Sequence, residues 1–342
     1  MNKAVAAPQQ HTDVATPARI TLVEAVNLAL ARALRDDPDV VVFGEDVGVN
    51  GGVFRATLGL QERFGLRRVM DTPLAENLIA GLAVGMATQG LKPVAEIQFM
   101  GFIYATLEQL ISHAARMRNR TRGRLHCPLV IRAPYGGGIH APEHHSESTE
   151  AILAHIPGLR VVVPSSPALA YGLLLSAIQD PDPVVFLEPK RIYRAVKREV
   201  IDDGQGLPLD VCFTLREGED ATLVAWGAMI PECLDAAVQL ADLGVNVEVI
   251  DVATLAPLDM QTILDSVKKT GRCVVVHEAA HHGGLGAQIA ATVSELGLLS
   301  LLAPVQRVSG FDTPMPLLKN EHYYLPNSGD IVAAVQKALD FA

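Results

Sequence analysis

An excess of basic residues and long apolar runs are both missing from this 342-residue sequence. Its 28 lysines and arginines are outnumbered by 38 acidic residues, which gives a formal net charge of -10. Binding to nucleic acid or to an anionic membrane surface needs clustered positive charge, so neither partner is expected. No apolar run approaches the roughly 18 residues that a membrane-spanning helix needs. The sequence therefore predicts a globular protein that binds neither nucleic acid nor membrane.

Cysteine is also scarce, with four in the whole chain: Cys127, Cys212, Cys233 and Cys273. They are far apart, lie in apolar surroundings and form no CxxC or Cys/His ligand spacing. We therefore expect reduced core thiols rather than disulfides or zinc ligands. The N-terminal stretch has no basic start and apolar run of a signal peptide, and no transit peptide is evident. This predicts a disordered tail over residues 1–18 and a cytoplasmic location.

What the sequence does contain is a repeated alternation of helical and strand patterns. Thr21 followed by Glu24 predicts a capped helix that ends at Asp37-Pro38. Strands are predicted at residues 40–43, 94–98, 129–131, 161–163 and 184–187, and helices at 76–88, from about 104 to 117, and from about 167. Continuous apolar strands in this βα order imply a parallel sheet that is covered on both faces.

The periodic pattern is lost between about residues 188 and 217, where charged residues, glycine and proline collect. Apolar strands return at residues 221–226, 245–250, 273–277 and 305–308, with helices near 231–243 and 285–296. We therefore predict two α/β domains with parallel or mixed sheets. The first covers residues 19–190, a linker covers 191–217, and a smaller domain covers 218–342.

Four clusters of polar or glycine residues follow predicted strands, at the edge where open α/β sheets bind ligands. They are Gly44 to Arg55, Asp71 to Glu76, Ala95 to Phe102, and Gly136 to Ser148. The first cluster contains Glu45 but has neither GxGxxG nor a phosphate-binding lysine. An ordinary turn and helix entry explains this first cluster well, so alone it is a weak signal.

The second and third clusters each allow two explanations. Glu76 opens a helix of small and apolar residues. It is either a first-turn glutamate favoured by the helix dipole or a buried carboxyl whose raised pKa serves proton transfer. Gln98 and Phe99 can be explained as ordinary strand-end side chains. Phe102 lies just beyond the strand, where its ring could cover a planar heterocycle.

The fourth cluster holds His140, His144 and His145, with Glu143 and Glu147, in a loop that follows three glycines. So many titratable side chains do not serve core packing, and catalytic groups concentrate in loops of this kind. The spacing matches neither HExxH nor a zinc finger, and no cysteine joins it. General acid or base catalysis by one histidine is therefore preferred to a zinc site.

Together with Pro128 to Arg132, Pro157 to Leu159, Ser176 to Pro183 and Glu188 to Lys190, these clusters resemble the E1 β subunits of heterotetrameric 2-oxoacid dehydrogenases. The resemblance covers residues 18–340. It implies a transketolase-like fold with a pyrimidine-binding domain and a C-terminal domain, and thiamine diphosphate held between α and β subunits. The sequence has no Gly-Asp-Gly followed by the asparagine pair of a metal–diphosphate site. An E1 α subunit is therefore expected to hold the Mg²⁺ and the diphosphate in an α2β2 heterotetramer.

The resemblance implies a role for each of five side chains. Glu76 matches the glutamate that hydrogen-bonds N1′ of the aminopyrimidine, and Phe102 matches the aromatic ring stacked near it. Glu45 matches an acidic residue linked with proton communication between paired active sites, and Gln98 falls among the cofactor contacts. His145 matches the histidine that reaches the reaction centre and assists acyl transfer to the lipoyl group of the E2 acyltransferase.

The family also has a structural K⁺ site formed largely by backbone oxygens. Position matching places it at Leu129, Ala177, Ile178, Asp180 and Asp182. Relatives commonly have asparagine where this chain has Asp182. A backbone carbonyl at that position would still coordinate an alkali cation.

The substrate is less clearly indicated than the family. The segments Glu96 to Tyr104 and His140 to His145 look more like bacterial pyruvate enzymes, whereas Glu188 to Lys190 and Gly310 to Pro314 look more like branched-chain ones. The resemblance favours pyruvate, with branched-chain 2-oxoacids or acetoin as alternatives. A non-catalytic scaffold that docks E2 is the alternative from a different functional class.

Overall fold

The computed structural model describes residues 16–341 and divides them mainly between two β-sheets. The predicted tail over residues 1–18 lies outside the described residues as far as residue 15, and Ala18 already begins the first strand. The strands are β1 (Ala18–Ile20), β2 (Val40–Gly44), β3 (Val69–Asp71), β4 (Lys92–Glu96), β5 (Val130–Tyr135), β6 (Arg160–Val162), β7 (Val184–Pro189), β8 (Arg198–Val200), β9 (Phe213–Arg216), β10 (Ala221–Ala225), β11 (Val247–Asp251), β12 (Thr254–Ala256), β13 (Cys273–Val276) and β14 (Gln306–Val308).

Helices of three kinds connect these strands. The α-helices are α1 (Leu22–Asp36), α2 (Leu60–Phe64), α3 (Glu76–Thr88), α4 (Met117–Arg120), α5 (Glu150–Ala154), α6 (Pro167–Gln179), α7 (Met229–Asp242), α8 (Met260–Thr270), α9 (Leu285–Leu296), α10 (Glu321–Tyr324) and α11 (Ser328–Leu339). The 3₁₀ helices are Met100–Thr106, Glu143–His145, Lys190–Ile192, Leu298–Ser300 and Leu318–Asn320, and a π-helical turn covers Gln109–Ala114.

Seven strands form the first sheet, in the order β12-β6-β7-β5-β4-β2-β3. All neighbours are parallel except β12, which runs antiparallel to β6. Both faces are covered, as alternate residues of β2 illustrate. Val40 and Val42 belong to the core that contains α1 and α6, whereas Val41 and Phe43 belong to the core that contains α3. A strand that buries both faces has a continuous apolar sequence, as predicted.

Five strands form the second sheet, in the order β14-β13-β10-β11-β9, and only β9 is antiparallel to its neighbour. Helices α7 and α11 pack on one face of this sheet, and α8 and α9 pack on the other. The predicted fold class, two α/β domains with parallel or mixed sheets, is confirmed.

The two sheets are joined by a shared strand and by shared apolar cores as well as by the connecting segment. β12 comes from the second half of the chain but extends the first sheet beside β6. Each of the two large apolar cores contains residues from both sheets. The domain boundaries around residues 191–217 stay a prediction; within that stretch, β8 pairs with β1 and β9 joins the second sheet.

Most helices and strands lie close to their predicted positions. The Thr21 N–H donates to Glu24 Oε2 at 2.7 Å in a capping box, and α1 ends at Asp36. The segment predicted as one helix from residue 104 to 117 is helical but irregular. It is divided into a 3₁₀ helix, a π-helical turn and the short α4, and it packs against α3 and the loop after β5.

The cysteines are free thiols, as predicted. Burial raises the pKa of Cys127 and of Cys273 to about 12, which keeps both protonated and unreactive. Within residues 16–341, no helix combines the length and apolar character needed to cross a membrane.

Candidate active site

The residues predicted to be catalytic or to bind the cofactor lie at the carboxyl ends of the parallel strands of the first sheet. Glu45 follows β2, and Glu76 opens α3 shortly after β3. Gln98, which is partly exposed, and Phe102 follow β4. His145 lies in the loop after β5, residues 136–147, which we call the histidine loop. Because β5, β4, β2 and β3 are neighbours in the sheet, these segments lie side by side.

Two carboxyl groups form the first part of the site. Glu45 is buried, with 6% of its surface exposed, and Glu76 is partly exposed. Burial raises the pKa of Glu45, and the negative charges of Glu76 and Asp46 raise it further. Among the residues that the structure describes, Glu45 Oε1 has no hydrogen-bond partner. A buried carboxyl of this kind can exchange a proton with a bound group.

Aromatic rings form the second part of the site, around His145. The His145 ring lies 4.5 Å from the Phe99 ring and 5.3 Å from the Phe102 ring, both in edge-on geometry. The His144 ring lies 5.2 Å from Phe102. In the described part of the chain, His145 Nδ1 is buried without a hydrogen-bond partner. Ring packing, rather than a hydrogen bond from that nitrogen, therefore sets the orientation of His145.

Helix α3 connects the two parts. Asn77 Nδ2 donates to the backbone oxygen of Ala105 at 3.1 Å, and α3 packs along the 3₁₀ helix that carries Phe102. That 3₁₀ helix in turn packs on the histidine loop so closely that a Cβ on Gly101 would overlap the backbone oxygen of His144. The structure therefore brings the predicted carboxyl, aromatic and histidine residues to one edge of the sheet.

A buried ionic cluster lies beneath this edge. Arg132 Nε and Nη2 donate to the two carboxylate oxygens of Glu188 at 2.6 and 2.9 Å, and Nη1 donates to Glu96 Oε2 at 2.8 Å. The Tyr193 hydroxyl also donates to Glu188. Burial raises the pKa of Glu96, although the charge of Arg132 opposes that shift. The cluster ties together β4, β5 and β7, from which the site segments emerge.

Three charged residues near the site were missed by sequence reasoning. Lys190 follows β7, and its ammonium lies 5.7 Å from the centroid of the Phe99 ring. Burial lowers the pKa of Lys190, opposed by the charges of Glu278 and Glu321. The place of Lys190 after a predicted strand was a usable signal. Glu278 and Glu321 come from the other domain. Glu278 also follows a predicted strand, whereas no local pattern marked Glu321.

The residues matched to a K⁺ site lie at the opposite edge of the first sheet, before β5 and β7. Asp180 pairs with Arg160 and Asp182 pairs with Arg118, each at 2.8 Å. Within the described residues, no group of three or more His, Cys, Asp or Glu side chains could hold a metal. Both carboxylates are therefore paired with arginine.

Comparison with known families agrees with this architecture. The family described as transketolase, pyrimidine binding domain, matches residues 18–196, and that described as transketolase, C-terminal domain, matches residues 212–331. A solved split-gene transketolase, described as an inactive β4 tetramer, is 27% identical with a TM-score of 0.78 over 95% of this chain and 99% of that one. A transketolase mutant from Pichia stipitis, 13% identical with a TM-score of 0.69 over 98% of this chain and 48% of that one, shares the fold. The fold and site define a transketolase-type α/β protein.

Curated relatives narrow this class to one family. The pyruvate dehydrogenase E1 component subunit beta of Acholeplasma laidlawii is 52% identical over 93% of this chain and 97% of that protein. The proteins of the same name from Staphylococcus epidermidis and Bacillus subtilis are 49% and 48% identical over 95% of this chain and 100% of each relative. The chain belongs to the family of pyruvate dehydrogenase E1 component β subunits. The predicted resemblance to E1 β subunits, and the preference for the pyruvate branch, are confirmed.

Proposed function

We propose that this chain holds the aminopyrimidine end of thiamine diphosphate and is active only with an E1 α subunit, in an α2β2 heterotetramer. The observation that carries the proposal is the convergence of Glu45, Glu76, Phe102 and His145 at one sheet edge. Acidic, aromatic and imidazole groups suit a heterocycle and a reacting carbonyl. The sequence lacks the motif for a metal-bound diphosphate, so the anionic end of the cofactor and its Mg²⁺ are assigned to the α subunit.

The polar and aromatic side chains at this site suit a pyrimidine ring. Glu45 Oε1 is buried and, within residues 16–341, has no protein partner, which makes it an acceptor that a bound heterocycle can satisfy. Glu76 offers a carboxyl for ring nitrogen N1′, Gln98 a further polar contact, and Phe102 a ring face. When bound, the cofactor supplies the electron sink that the decarboxylation of a 2-oxoacid needs.

The side chains of this chain bind, orient and move protons around that cofactor. Glu76 holds a proton at N1′, and Glu45 is the second carboxyl with which protons are exchanged. Phe99 and Phe102 pack against the His145 ring and orient it. His145 assists the transfer of the acetyl group to the lipoyl group of E2.

The remaining parts of the proposal concern partners and the alkali cation. Pyruvate is the proposed substrate, E2 the acyl acceptor, and the bacterial cytoplasm the location. A structural K⁺ is proposed on backbone oxygens of the residues matched by position: Leu129, Ala177, Ile178, Asp180 and Asp182. The pairing of Asp180 and Asp182 with arginines supports backbone rather than side-chain ligation.

Glu76→Gln tests the cofactor role. With the α subunit co-expressed, and with thiamine diphosphate, Mg²⁺ and an artificial electron acceptor supplied, we expect the variant to decarboxylate pyruvate at least about a hundredfold more slowly, since an amide cannot exchange the proton. Glu62→Gln, an exposed glutamate on α2, is the matched control and should keep wild-type activity. Full activity from this chain without α, or an unimpaired Glu76→Gln enzyme, would contradict the proposal.

His145→Ala separates an enzyme subunit from a scaffold. The variant should lose most acetylation of a lipoyl domain, whereas a scaffold that only docks E2 would tolerate both this change and Glu76→Gln. Specificity constants for pyruvate, 2-oxoisovalerate and acetoin, measured with the same α subunit, test the substrate. A higher specificity constant for 2-oxoisovalerate or acetoin would make that compound the substrate in place of pyruvate.

A further inference from the structure

The histidine loop rests on a carboxylate from the other domain. Glu321, the first residue of α10, is 1% exposed. Its Oε1 accepts a hydrogen bond from the Gly138 N–H, and its Oε2 accepts one from the His140 N–H at 2.8 Å. His140 Nδ1 lies 2.8 Å from the same Oε2. One buried carboxylate therefore contacts two backbone groups and one side chain of the loop.

The backbone of the loop explains why an acceptor is needed there. Gly138 and His140 both have left-handed φ angles, of 87° and 57°. Backbone that visits this conformation can turn neighbouring N–H groups toward one concave side, which favours an anion. The left-handed region is uncommon for histidine and costs energy, so the surroundings must hold it in place. Glu321 supplies that support.

Glycines allow the loop to approach the second domain on one side and the start of the predicted linker on the other. A Cβ on Gly137 would lie 2.6 Å from Met315 Cε, in the second domain. A Cβ on Gly138 would lie 2.6 Å from Arg191 Cγ on the other side. Residues 136–140, which we call the glycine arm, are thus enclosed between residues 190–192 and the segment around Met315 and Glu321. The position of the arm depends on both.

The constraint on the glycine arm reaches His145 through the rest of the loop. The Gly136 N–H donates to the Glu147 carbonyl at 2.8 Å and closes the base of the loop. The His145 N–H donates to the Pro142 carbonyl at 2.9 Å, which fixes the 3₁₀ turn to the segment that leaves the arm. A shift of the arm must therefore move the turn that carries His145.

We propose that Glu321 is a positioning residue for acetyl transfer: it holds the glycine arm so that His145 keeps its place between Phe99 and Phe102. This inference rests on the role proposed for His145. It gives the C-terminal domain a part in the second half-reaction, whereas the carboxyl pair for the first lies wholly in the N-terminal domain. Glu321 touches no reacting group and acts only through the loop.

Glu321→Ala and Glu321→Gln in the α2β2 enzyme test the proposal. The measurements are pyruvate decarboxylation with an artificial electron acceptor, acetylation of an isolated lipoyl domain, and hydrogen exchange of peptides within residues 136–147. We expect Glu321→Ala to slow acetylation at least about tenfold, since small misplacements of reacting groups cost that much, and to leave decarboxylation nearly unchanged. Exchange at Gly138 and His140 should be at least about tenfold faster.

Rescue by the conservative variant and a loop control complete the test. Glu321→Gln keeps one acceptor oxygen, so acetylation and exchange should fall between those of wild type and Glu321→Ala. His140→Gly keeps the N–H that Glu321 binds and should leave exchange at Gly138 slow. Unchanged acetylation in Glu321→Ala, with or without faster exchange, would overturn the proposal, and so would equal loss of both half-reactions.

Hydrogen exchange can be measured without turnover. If the wild-type enzyme neither decarboxylates pyruvate nor acetylates the lipoyl domain, the proposed function fails. Hydrogen exchange would still decide whether Glu321 anchors the loop.

Discussion

Arg132 is completely buried, and its guanidinium donates to Glu188 through two nitrogens and to Glu96 through the third. Burial works against its charge, yet Glu188 and Glu96 raise the pKa of Arg132 above its usual value. The desolvation of a buried ion is offset only when its partners have good geometry, as they have here. Removing the arginine would leave two buried carboxyl groups without a cation.

Arg132→Met should lower the free energy of unfolding by about 3 to 5 kcal/mol, because breaking a buried ion pair costs that much. Urea denaturation followed by circular dichroism measures the change. Arg118→Met is the matched control. Its partner Asp182 also lies at 2.8 Å, but both side chains are exposed by a third or more, so the loss should be about 1 kcal/mol or less. Equal losses of unfolding free energy in the two variants would show that burial of the ionic cluster does not increase its contribution to stability.

Sequence reasoning reached the site residues that follow strands of their own domain. Glu45, Glu76 and Phe102 could be placed together because parallel strands end at one edge, so a strand end predicts position. Glu321 could not be found in this way. It lies 183 positions from Gly138, and its contact depends on how the second domain packs, which no local pattern encodes. The chemical roles of these residues came from family resemblance rather than from spacing.

The segment between β4 and α4 shows what a helix prediction from sequence leaves open. One helix was predicted from residue 104 to 117, and the segment is helical, but where it packs against α3 and the histidine loop it is a 3₁₀ helix followed by a π-helical turn. Tertiary contacts override helix propensity when a close approach is required. Gly101 marks that approach, because a Cβ there would overlap the backbone oxygen of His144.

Gly101→Ala should lower the free energy of unfolding of the isolated chain by about 1 to 3 kcal/mol, as overpacking does in other cores. Gly85→Ala is the matched control, since the same change on α3 meets nothing within 4 Å and needs no unusual φ. There the added Cβ should raise the free energy of unfolding by about 0.5 to 1 kcal/mol. Chemical denaturation of both variants measures the two shifts. A stabilising Gly101→Ala would refute the close packing of the 3₁₀ helix on the loop.

The interface between the two domains contains buried titratable side chains. Trp226, the only tryptophan, is 1% exposed. Its Nε1 donates to Glu150 Oε1 of the first domain at 3.2 Å, and its ring stacks on His277 with centroids 5.4 Å apart. Burial lowers the pKa of His277 to about 4, so its ring is neutral. Because both apolar cores contain residues of both sheets, we expect the domains to unfold as one unit.

Glu150 should make the stability of this unit depend on pH. Burial raises its pKa from 4.5 to about 8, and the charge of Glu278 adds to the shift. The folded chain then keeps a proton that the unfolded chain releases, so this contribution is fully present below pH 4.5 and is lost as pH rises to about 8. Glutamine cannot titrate. Relative to wild type, the free energy of unfolding of Glu150→Gln should therefore rise by about 1.4 kcal/mol per pH unit between pH 5 and 8.

Urea denaturation of the isolated chain at several pH values, followed by Trp226 fluorescence and by circular dichroism, measures this difference. Glu295→Gln changes an exposed glutamate of α9, and its profile should stay parallel to that of wild type. A parallel profile for Glu150→Gln would mean that Glu150 is already ionised in the folded chain.

The fluorescence and circular dichroism signals should have the same midpoint at each pH, because the apolar cores continue across the interface. A fluorescence change that precedes the loss of circular dichroism would mean that the domains separate before they unfold.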